Sequence, residues 1–319
     1  MSAVRKRTSV EVCAGAGGQA LGLEQAGYRH LVCVELDPHA LATLRHNRPR
    51  WNPVQADLNT WTWDGPSPDL LAGGVPCPPF SIAGKQLGED DDRDLFPAML
   101  RLTGEMGPRA VMIENVRGLL ASKFEGYRAG ILDELDQLGY IGEWRLLNAA
   151  DYGVPQARLR TVLVAMRPSD WDHFKWPKPL GAPPTVGETL LPAMASDGWE
   201  GADSWADQAD GIAPALVGGS KKHGGADLGP TRARAAWRLL GVDGLGVADQ
   251  PPREGHVGLP RLTVPMAALV QGFPPDWQIQ GRKTAAYRQV GNAFPPPVAK
   301  AVGRAIRSAM DRTDKHPAG

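Results

Sequence analysis

The first half of the chain alternates short apolar runs with stretches of helical spacing. Ser9 to Ala14 reads as a strand, and Gly18 to Ala26 as the helix after it, ended by Gly27. Leu31 to Leu36 reads as a second strand, with further strands at Leu70 to Ala72, Ala110 to Ile113 and Thr161 to Ala165. Between the last two, Ile131, Leu135 and Leu138 recur at helical spacing and Gly139 supplies a C-cap. Strands that alternate with helices predict a doubly wound, mostly parallel α/β sheet. The pattern breaks near Trp176, where Pro177, Pro179, Pro183 and Pro184 make a linker-like stretch. From there to about Pro260 the sequence is rich in Gly, Asp and Trp and weakly periodic, which reads as a small inserted domain. Helical periodicity returns at Met266 to Val270 and at Val298 to Ile306.

Composition narrows the classes without choosing one. With 319 residues, 42% hydrophobic and 22% charged, the chain suits one large domain and a small one. No apolar run is long enough to cross a bilayer, and Met1 to Arg7 lacks the apolar segment of a secretory signal. Cys13, Cys33 and Cys77 form neither a disulfide framework nor a metal-ligand spacing, so a reducing, cytoplasmic setting and no metal are expected. The 35 basic and 35 acidic residues cancel, but not locally. Thr185 to Ala215 holds Glu188, Asp197, Glu200, Asp203, Asp207 and Asp210 with no Lys or Arg, whereas Lys221, Lys222, Arg232, Arg234 and Arg238 follow against Asp227 alone. Gly281 to Ser308 is basic with no acid. Such segregation allows a phosphate-binding face and equally allows two solvated helix faces.

Four constellations carry candidate chemistry. The first is Glu11-Val12-Cys13-Ala14-Gly15-Ala16-Gly17-Gly18, a glycine-rich strand-to-helix turn, with Glu35 at the end of the next strand, where a carboxylate binds ribose hydroxyls. This suits NAD, FAD or S-adenosylmethionine alike. Asp57 reads either as an adenine contact or as a turn residue. The second is Gly73-Gly74-Val75-Pro76-Cys77-Pro78-Pro79-Phe80-Ser81. Prolines present the Cys77 thiol on a rigid loop, and the site must favour the thiolate over the ordinary pKa of about 8.5. Cys13 and Cys33, inside strands, read as structural. The third is Glu114-Asn115-Val116 at a strand end, where a buried Glu can act as a general acid. The fourth is Gln156-Ala157-Arg158-Leu159-Arg160, whose two arginines at i and i+2 of an extended segment point the same way, either toward an anion or carbonyl or as a surface pair.

In this order the motifs resemble the cytosine-C5 DNA methyltransferase family. Its glycine-rich opening resembles residues 11–18, its Pro-Cys loop 76–81, its Glu-Asn-Val 114–116 and its Gln-x-Arg-x-Arg 156–160. Its late Arg-Leu-Thr and Gln-Gly-Phe-Pro segment resembles Arg261 to Pro274, and its closing Gly-Asn resembles Gln289 to Ala293. The resemblance implies a Rossmann-like, S-adenosylmethionine-dependent methyltransferase sheet made of residues 1–178 and 261–319, with a target-recognition domain at 179–260. It implies that Ala14, Gly15, Gly17, Gly18, Glu35, Leu36, Asp57, Pro76, Asn292 and Ala293 hold the cofactor. It implies that Cys77, Glu114, Arg158 and Arg160 serve the chemistry on a cytosine flipped out of double-stranded DNA. Ser81, Lys85 and Gln86, in a closing loop running to about Asp94, would meet DNA, as would Lys221 and Lys222. Arg232 and Arg234 either read guanine edges or lie on a solvated helix face with Trp237 and Leu240 inward. A monomer and a cognate restriction endonuclease acting on the same site are further expectations of the resemblance. Two departures stand out: Cys13 occupies the place of an adenine-stacking Phe, and Pro78 follows Cys77 where Gln is usual. A tRNA-modifying branch of the family, which lacks a long insertion, an NAD(P)-dependent oxidoreductase, and an inactive DNA-binding relative are the alternatives. The oxidoreductase leaves the Cys77 loop, Glu114-Asn115 and Gly291-Asn292 without a role, and intact Cys77 and Glu114 speak against an inactive relative.

Overall fold

The computed structural model describes residues 6–75, 94–218 and 226–316. Pro76, Cys77, Ser81, Lys85, Gln86, Lys221 and Lys222 therefore lie outside the described residues, as does the acidic run Glu89 to Asp92.

Seven strands form the main sheet: β1 (Arg7–Val12), β2 (Tyr28–Glu35), β3 (Pro53–Gln55), β4 (Leu70–Gly74), β5 (Ala110–Val116), β6 (Ile141–Asn148) and β8 (Leu159–Met166). Their order is β3-β2-β1-β4-β5-β8-β6. The first five run parallel, and β8 is antiparallel to both β5 and β6. The mostly parallel expectation therefore holds for the half that carries the glycine turn. The strand β6 has no counterpart in the sequence reading. It is an edge strand with much of its length exposed, so it lacks the continuous apolar run that betrays β4 and β5. A separate short pair joins β7 (Gln156–Ala157) to β9 (Ala213–Pro214) in parallel.

Alternate side chains of the buried strands feed two layers. Leu70, Ala72, Ala110, Met112, Val162 and Val164 face α1 (Gly18–Gln25) and α11 (Pro296–Lys315). Leu71, Val111, Ile113, Leu163 and Ala165 face α3 (Phe96–Met106) and α4 (Glu125–Gln137). The spacing of Val298, Val302, Ile306, Ala309 and Met310 lays one face of α11 on the sheet and on α1. Gly22 permits this approach, since a Cβ there would lie 2.3 Å from the Pro296 carbonyl oxygen. Gly139, at φ +82°, ends the α4 region as its sequence predicts.

The helix α2 (Pro38–Asn47) starts where Asp37 caps the backbone of His39 and Ala40, with Pro38 in the first turn. The short α5 (Pro168–Trp171) precedes the linker, and beyond it lie α6 (Val186–Met194), α7 (Ala202–Gln208), α8 (Thr231–Leu239), α9 (Val264–Val270) and α10 (Lys283–Asn292). Capping boxes at Thr185 and Thr263 start α6 and α9. The apolar side chains of α6, α7 and Trp237 form one cluster with Ala14, Ala16, Leu44, Trp51, Met266 and Tyr287. The inserted segment thus shares its core with the glycine turn. Among the described residues no helix is long and apolar enough to cross a membrane.

Candidate active site

The strand order reverses between β1 and β4, so the carboxyl ends of these two strands flank a topological switch point, where an open α/β sheet has its binding crevice. Val12 lies beside Gly73, and Gly74 beside Glu114.

At the β1 side of the crevice the chain leaves the strand abruptly. Cys13 has φ 50°, a left-handed conformation that a side chain rarely adopts, so it is the first residue of the turn and not a strand residue as its sequence suggests. Gly15 and Gly17 follow at φ 54° and 85°. A Cβ on Gly15 would meet nothing within 4 Å, which leaves open space over the turn. A Cβ on Gly17 would come within 2.9 Å of Leu44 and Trp277, and one on Gly18 within 3.4 Å of the Ala293 Cβ. The turn is therefore open on one side and closed on the other by residues from the end of the chain. Glu35 binds it together: Oε2 accepts the Gly15 amide at 2.6 Å, and Oε1 accepts the amides of Leu36 and Asp37, each at 2.8 Å. Burial raises the Glu35 pKa above the carboxylate norm, opposed by these three amides. Leu36 stands beside it 59% exposed, an apolar surface at the lip of the turn. Burial and the carboxylates of Glu35, Glu11 and Asp57 raise the Cys13 thiol pKa, so Cys13 and these acids converge. Asp57 is exposed, and its Oδ1 accepts the Asn59 amide at 3.0 Å, the bond of a turn aspartate. Asn292 is exposed and Ala293 buried. Cys33 is fully buried in β2, the structural role its sequence suggests.

The sequence reading missed three supports of this turn. The Trp277 indole donates to the Ala16 carbonyl at 3.0 Å, and its ring packs against Phe273 and Trp51. Glu11 and Gln19 are buried beside each other beneath the turn, and neither side chain makes a hydrogen bond of normal geometry among the described residues. Burial raises the Glu11 pKa well above its ordinary value. An acid inside a strand that opens a glycine turn is the one sequence signal that points to it.

At the β4 side, the Asn115 amide reaches the Val75 carbonyl at 3.5 Å, anchoring the root of the loop that carries Cys77. Glu114 is buried, and Arg160 Nε lies 2.8 Å from its Oε1. The antiparallel pairing sets Glu114 against Val162 and Val116 against Arg160, so the two charged residues are diagonal neighbours. Burial raises the Glu114 pKa, and the charges of Arg160 and Arg158 oppose the rise. A Cβ on Gly74 would lie 3.2 Å from Glu114 Oε2, so the second glycine of the Gly-Gly pair makes room for the carboxyl.

The two arginines of 156–160 do not share a direction. Arg160 turns to Glu114, whereas Arg158 is fully buried between β7 and β8 and donates to main-chain carbonyls. Its Nη1 reaches the Leu216 carbonyl at 2.6 Å, and its Nη2 reaches those of Gly291 at 2.6 Å and Ala293 at 3.0 Å. An expected place for Arg158 at the base is therefore replaced by a clamp on the chain. Gln156 Oε1 accepts the Leu216 amide at 2.9 Å, and Gln156 Nε2 donates to Gln271 Oε1 at 2.7 Å. The Gln271 amide closes the circle on the Ala293 carbonyl.

In the inserted segment Trp237 and Leu240 of the α8 region face inward, Arg232 and Arg238 are exposed and Arg234 is half-buried. A hollow of about 600 Å³ opens beside α8 between Arg234, Arg238, Asp243 and Leu259. Among the described residues no cluster of His, Cys, Asp or Glu could hold a metal ion.

A switch-point sheet with a glycine turn, and a buried acid paired to an arginine on the neighbouring strand beside the crevice, define a Rossmann-like methyltransferase. The C-5 cytosine-specific DNA methylase family model matches residues 7–308, and the chain belongs to that family, whose members methylate C5 of cytosine in DNA. It is 59% identical over 312 residues to the Type II methyltransferase M.NaeI of Lentzea aerocolonigenes, covering 95% of this chain and 75% of that one. It is 51% identical over 309 residues to M.NgoMIV of Neisseria gonorrhoeae, covering 96% and 98%. Its fold is similar to that of an Escherichia coli prophage protein described as a DNA modification methyltransferase, with a TM-score of 0.69 at 23% identity over 96% of this chain and 99% of that one.

Proposed function

We propose that the protein transfers a methyl group from S-adenosylmethionine to C5 of cytosine at a specific short sequence in double-stranded DNA, through a covalent bond between Cys77 and C6. The observation that carries this reading is the buried Glu114–Arg160 pair, set beside the strand end that leads three residues later into Cys77. The open face over Gly15 suits a nucleoside, with Glu35 toward ribose hydroxyls, Leu36 against the adenine, and Asp57 within reach of its amino group through the oxygen not used on Asn59. Ala14, Gly17, Gly18, Pro76, Asn292 and Ala293 complete the cofactor's cradle. When bound, the cofactor supplies an electrophilic methyl on a sulfonium sulfur.

Cytosine C5 is a poor nucleophile until C6 is saturated. In the reading proposed here, the Cys77 thiolate adds to C6 while Glu114 gives its proton to N3, and electron density collects at C5. A Glu pKa raised by burial suits that donor role. Arg160 holds the C2 carbonyl while keeping Glu114 in place. C5 takes the methyl group, loses its proton to a base or water, and expels Cys77, while the N3 proton returns. The base leaves the duplex first, at a cost on the order of a few kcal/mol. Residues 179–260 form the target-recognition domain, in which Arg232 and Arg234 on α8 meet DNA together with Lys221 and Lys222; Ser81, Lys85 and Gln86 are further DNA contacts in this reading. A cognate restriction endonuclease sharing the site, a monomeric state and a cytoplasmic setting belong to the same reading.

The test is transfer of labelled methyl from S-adenosylmethionine to duplex DNA and, separately, to tRNA. Label in DNA at mapped cytosines, its absence with Cys77→Ala, and a denaturation-resistant complex with DNA containing 5-fluorocytosine are expected. Full activity in Cys77→Ala sinks the covalent route, and label in tRNA alone sinks the substrate.

A further inference from the structure

Arg158 places a full positive charge in the interior, and among the described residues it makes no ion pair. A buried guanidinium is costly unless its donors are met. Here the Nη donors are met by carbonyls of two remote segments, Leu216 on one side and Gly291 with Ala293 on the other, while Nε has no partner among the described residues. The two segments also touch directly. A Cβ on Gly291 would lie 2.5 Å from the Gly218 amide nitrogen, and one on Gly218 would lie 2.0 Å from Asn292 Oδ1. Leu216 is fixed at both ends of its peptide unit, by Gln156 at the amide and by Arg158 at the carbonyl. From there Val217 packs toward Gly229, where a Cβ would lie 3.1 Å from Val217 Cγ2, two residues before α8 begins. A shift of the 291–293 backbone therefore moves the 216–218 backbone, and with it the base of α8.

We propose that Arg158 is a positioning residue that couples cofactor occupancy at Asn292 and Ala293 to the placement of α8 on DNA, rather than a residue that touches the base. The proposal rests on the reading of Asn292 and Ala293 as cofactor residues and of α8 as a DNA contact. Coupling of this kind is reciprocal: a cofactor that tightens DNA binding is itself tightened by DNA to the same factor. The planar fork of arginine is needed, because one lysine ammonium cannot reach both segments in the same geometry.

The experiment measures four dissociation constants on the full chain. S-adenosylhomocysteine serves as the non-reacting cofactor probe, and a 30-bp duplex spanning a cytosine that the enzyme methylates in plasmid DNA serves as the DNA probe. Each is titrated alone and in the presence of the other. For the unchanged protein, each ligand is expected to tighten the other by about fivefold or more. In Arg158→Lys that factor falls to within about twofold of unity, while each ligand alone keeps its affinity to within about threefold. Gly218→Ala, which keeps the Arg158 side chain, is expected to lose the coupling in the same way and serves if Arg158→Lys does not fold. A coupling factor that persists in a folded variant overturns the proposal, and so does a factor of one in the unchanged protein when both probes bind. Equal loss of both separate affinities assigns Arg158 a purely structural role and also overturns it. Failure of S-adenosylhomocysteine to bind the unchanged protein overturns the cofactor reading itself, and the coupling with it.

Discussion

At the scale of single residues, the chemistry proposed for the site turns on how Glu114 is held. Burial favours its protonated form, and Arg160 at 2.8 Å keeps that preference in check. Glu114→Gln keeps the shape but removes the transferable proton, and is expected to lower kcat by about 10²–10⁴. A group that must be protonated gives a limb of the kcat/KM profile that falls as pH rises through its pKa. Arg160→Met removes the opposing charge, so the limb is expected to move to higher pH, and in Glu114→Gln it disappears. Rates across pH 5 to 9 on one DNA substrate check both. Gly74→Ala tests the room reserved for the same carboxyl. Its methyl would press on Glu114 Oε2 from 3.2 Å, so kcat is expected to fall by about tenfold to a hundredfold with little change in KM for DNA. An unchanged kcat would show that the carboxyl has slack.

At the scale of elements, close approach of backbones decides tolerance. Gly22→Ala drives a methyl into the Pro296 carbonyl, where backbone on both sides resists, and is expected to cost about 1–3 kcal/mol in urea denaturation. Gly126→Ala in α4 meets nothing within 4 Å and is expected to be neutral or to stabilise by about 0.4–1 kcal/mol. The elements that the sequence discloses are the ones whose partners are local or whose faces are uniform. The strands β1, β2, β4, β5 and β8 announce themselves as apolar runs, and Gly27 and Gly139 as helix ends. The strand β6 is hidden because its edge position leaves Glu143 and Arg145 in its midst. The candidate site divides in the same way. The turn, Glu35 and Glu114 are legible because strand ends are where such residues are useful. Arg158 is misread because what it binds is main chain more than fifty residues away, which no local pattern encodes. Trp277 on Ala16 is hidden for the same reason.

At the scale of the molecule, the first strand and the last helix are joined by charge. Arg7 pairs with Asp69 at 3.3 Å, Asp311 at 2.8 Å and Asp314, while Arg109 reaches Asp170 at 2.9 Å and Asp314 at 2.8 Å. Burial works against the Asp314 charge, but hydrogen bonds from Arg7 and Arg109 outweigh it and hold the carboxyl below its usual pKa. Its stabilisation is present above the unfolded value of about 3.9 and is lost as pH falls below it. His30 acts earlier. It is buried as the neutral ring, between Ser9 at 3.0 Å and the Ala20 carbonyl at 2.8 Å, and burial pushes its pKa down to about 4. Because the unfolded chain binds that proton near pH 6.5, stability is complete above pH 6.5 and falls as pH drops toward 4, by on the order of 3 kcal/mol. Urea midpoints are expected to decline between pH 6.5 and 4 and then more steeply, and His30→Gln is expected to flatten the first stage only. A flat response from pH 7 to 4 in the unchanged protein would contradict the buried neutral ring.

The bond from Trp277 to Ala16 spans 261 residues of chain. Synthesis at about 5–20 residues per second separates those two residues by on the order of tens of seconds. The glycine turn leaves the ribosome early and waits, without its indole prop and without Phe273, Ala293 or α11, until residues 273–315 follow. A chain released early carries every residue of the Cys77 loop and no finished floor for the turn. Maturation of the enzyme is thereby tied to translation past Trp277 and α11, so shorter products in the cell would contain Cys77 and are expected to be silent toward the genome.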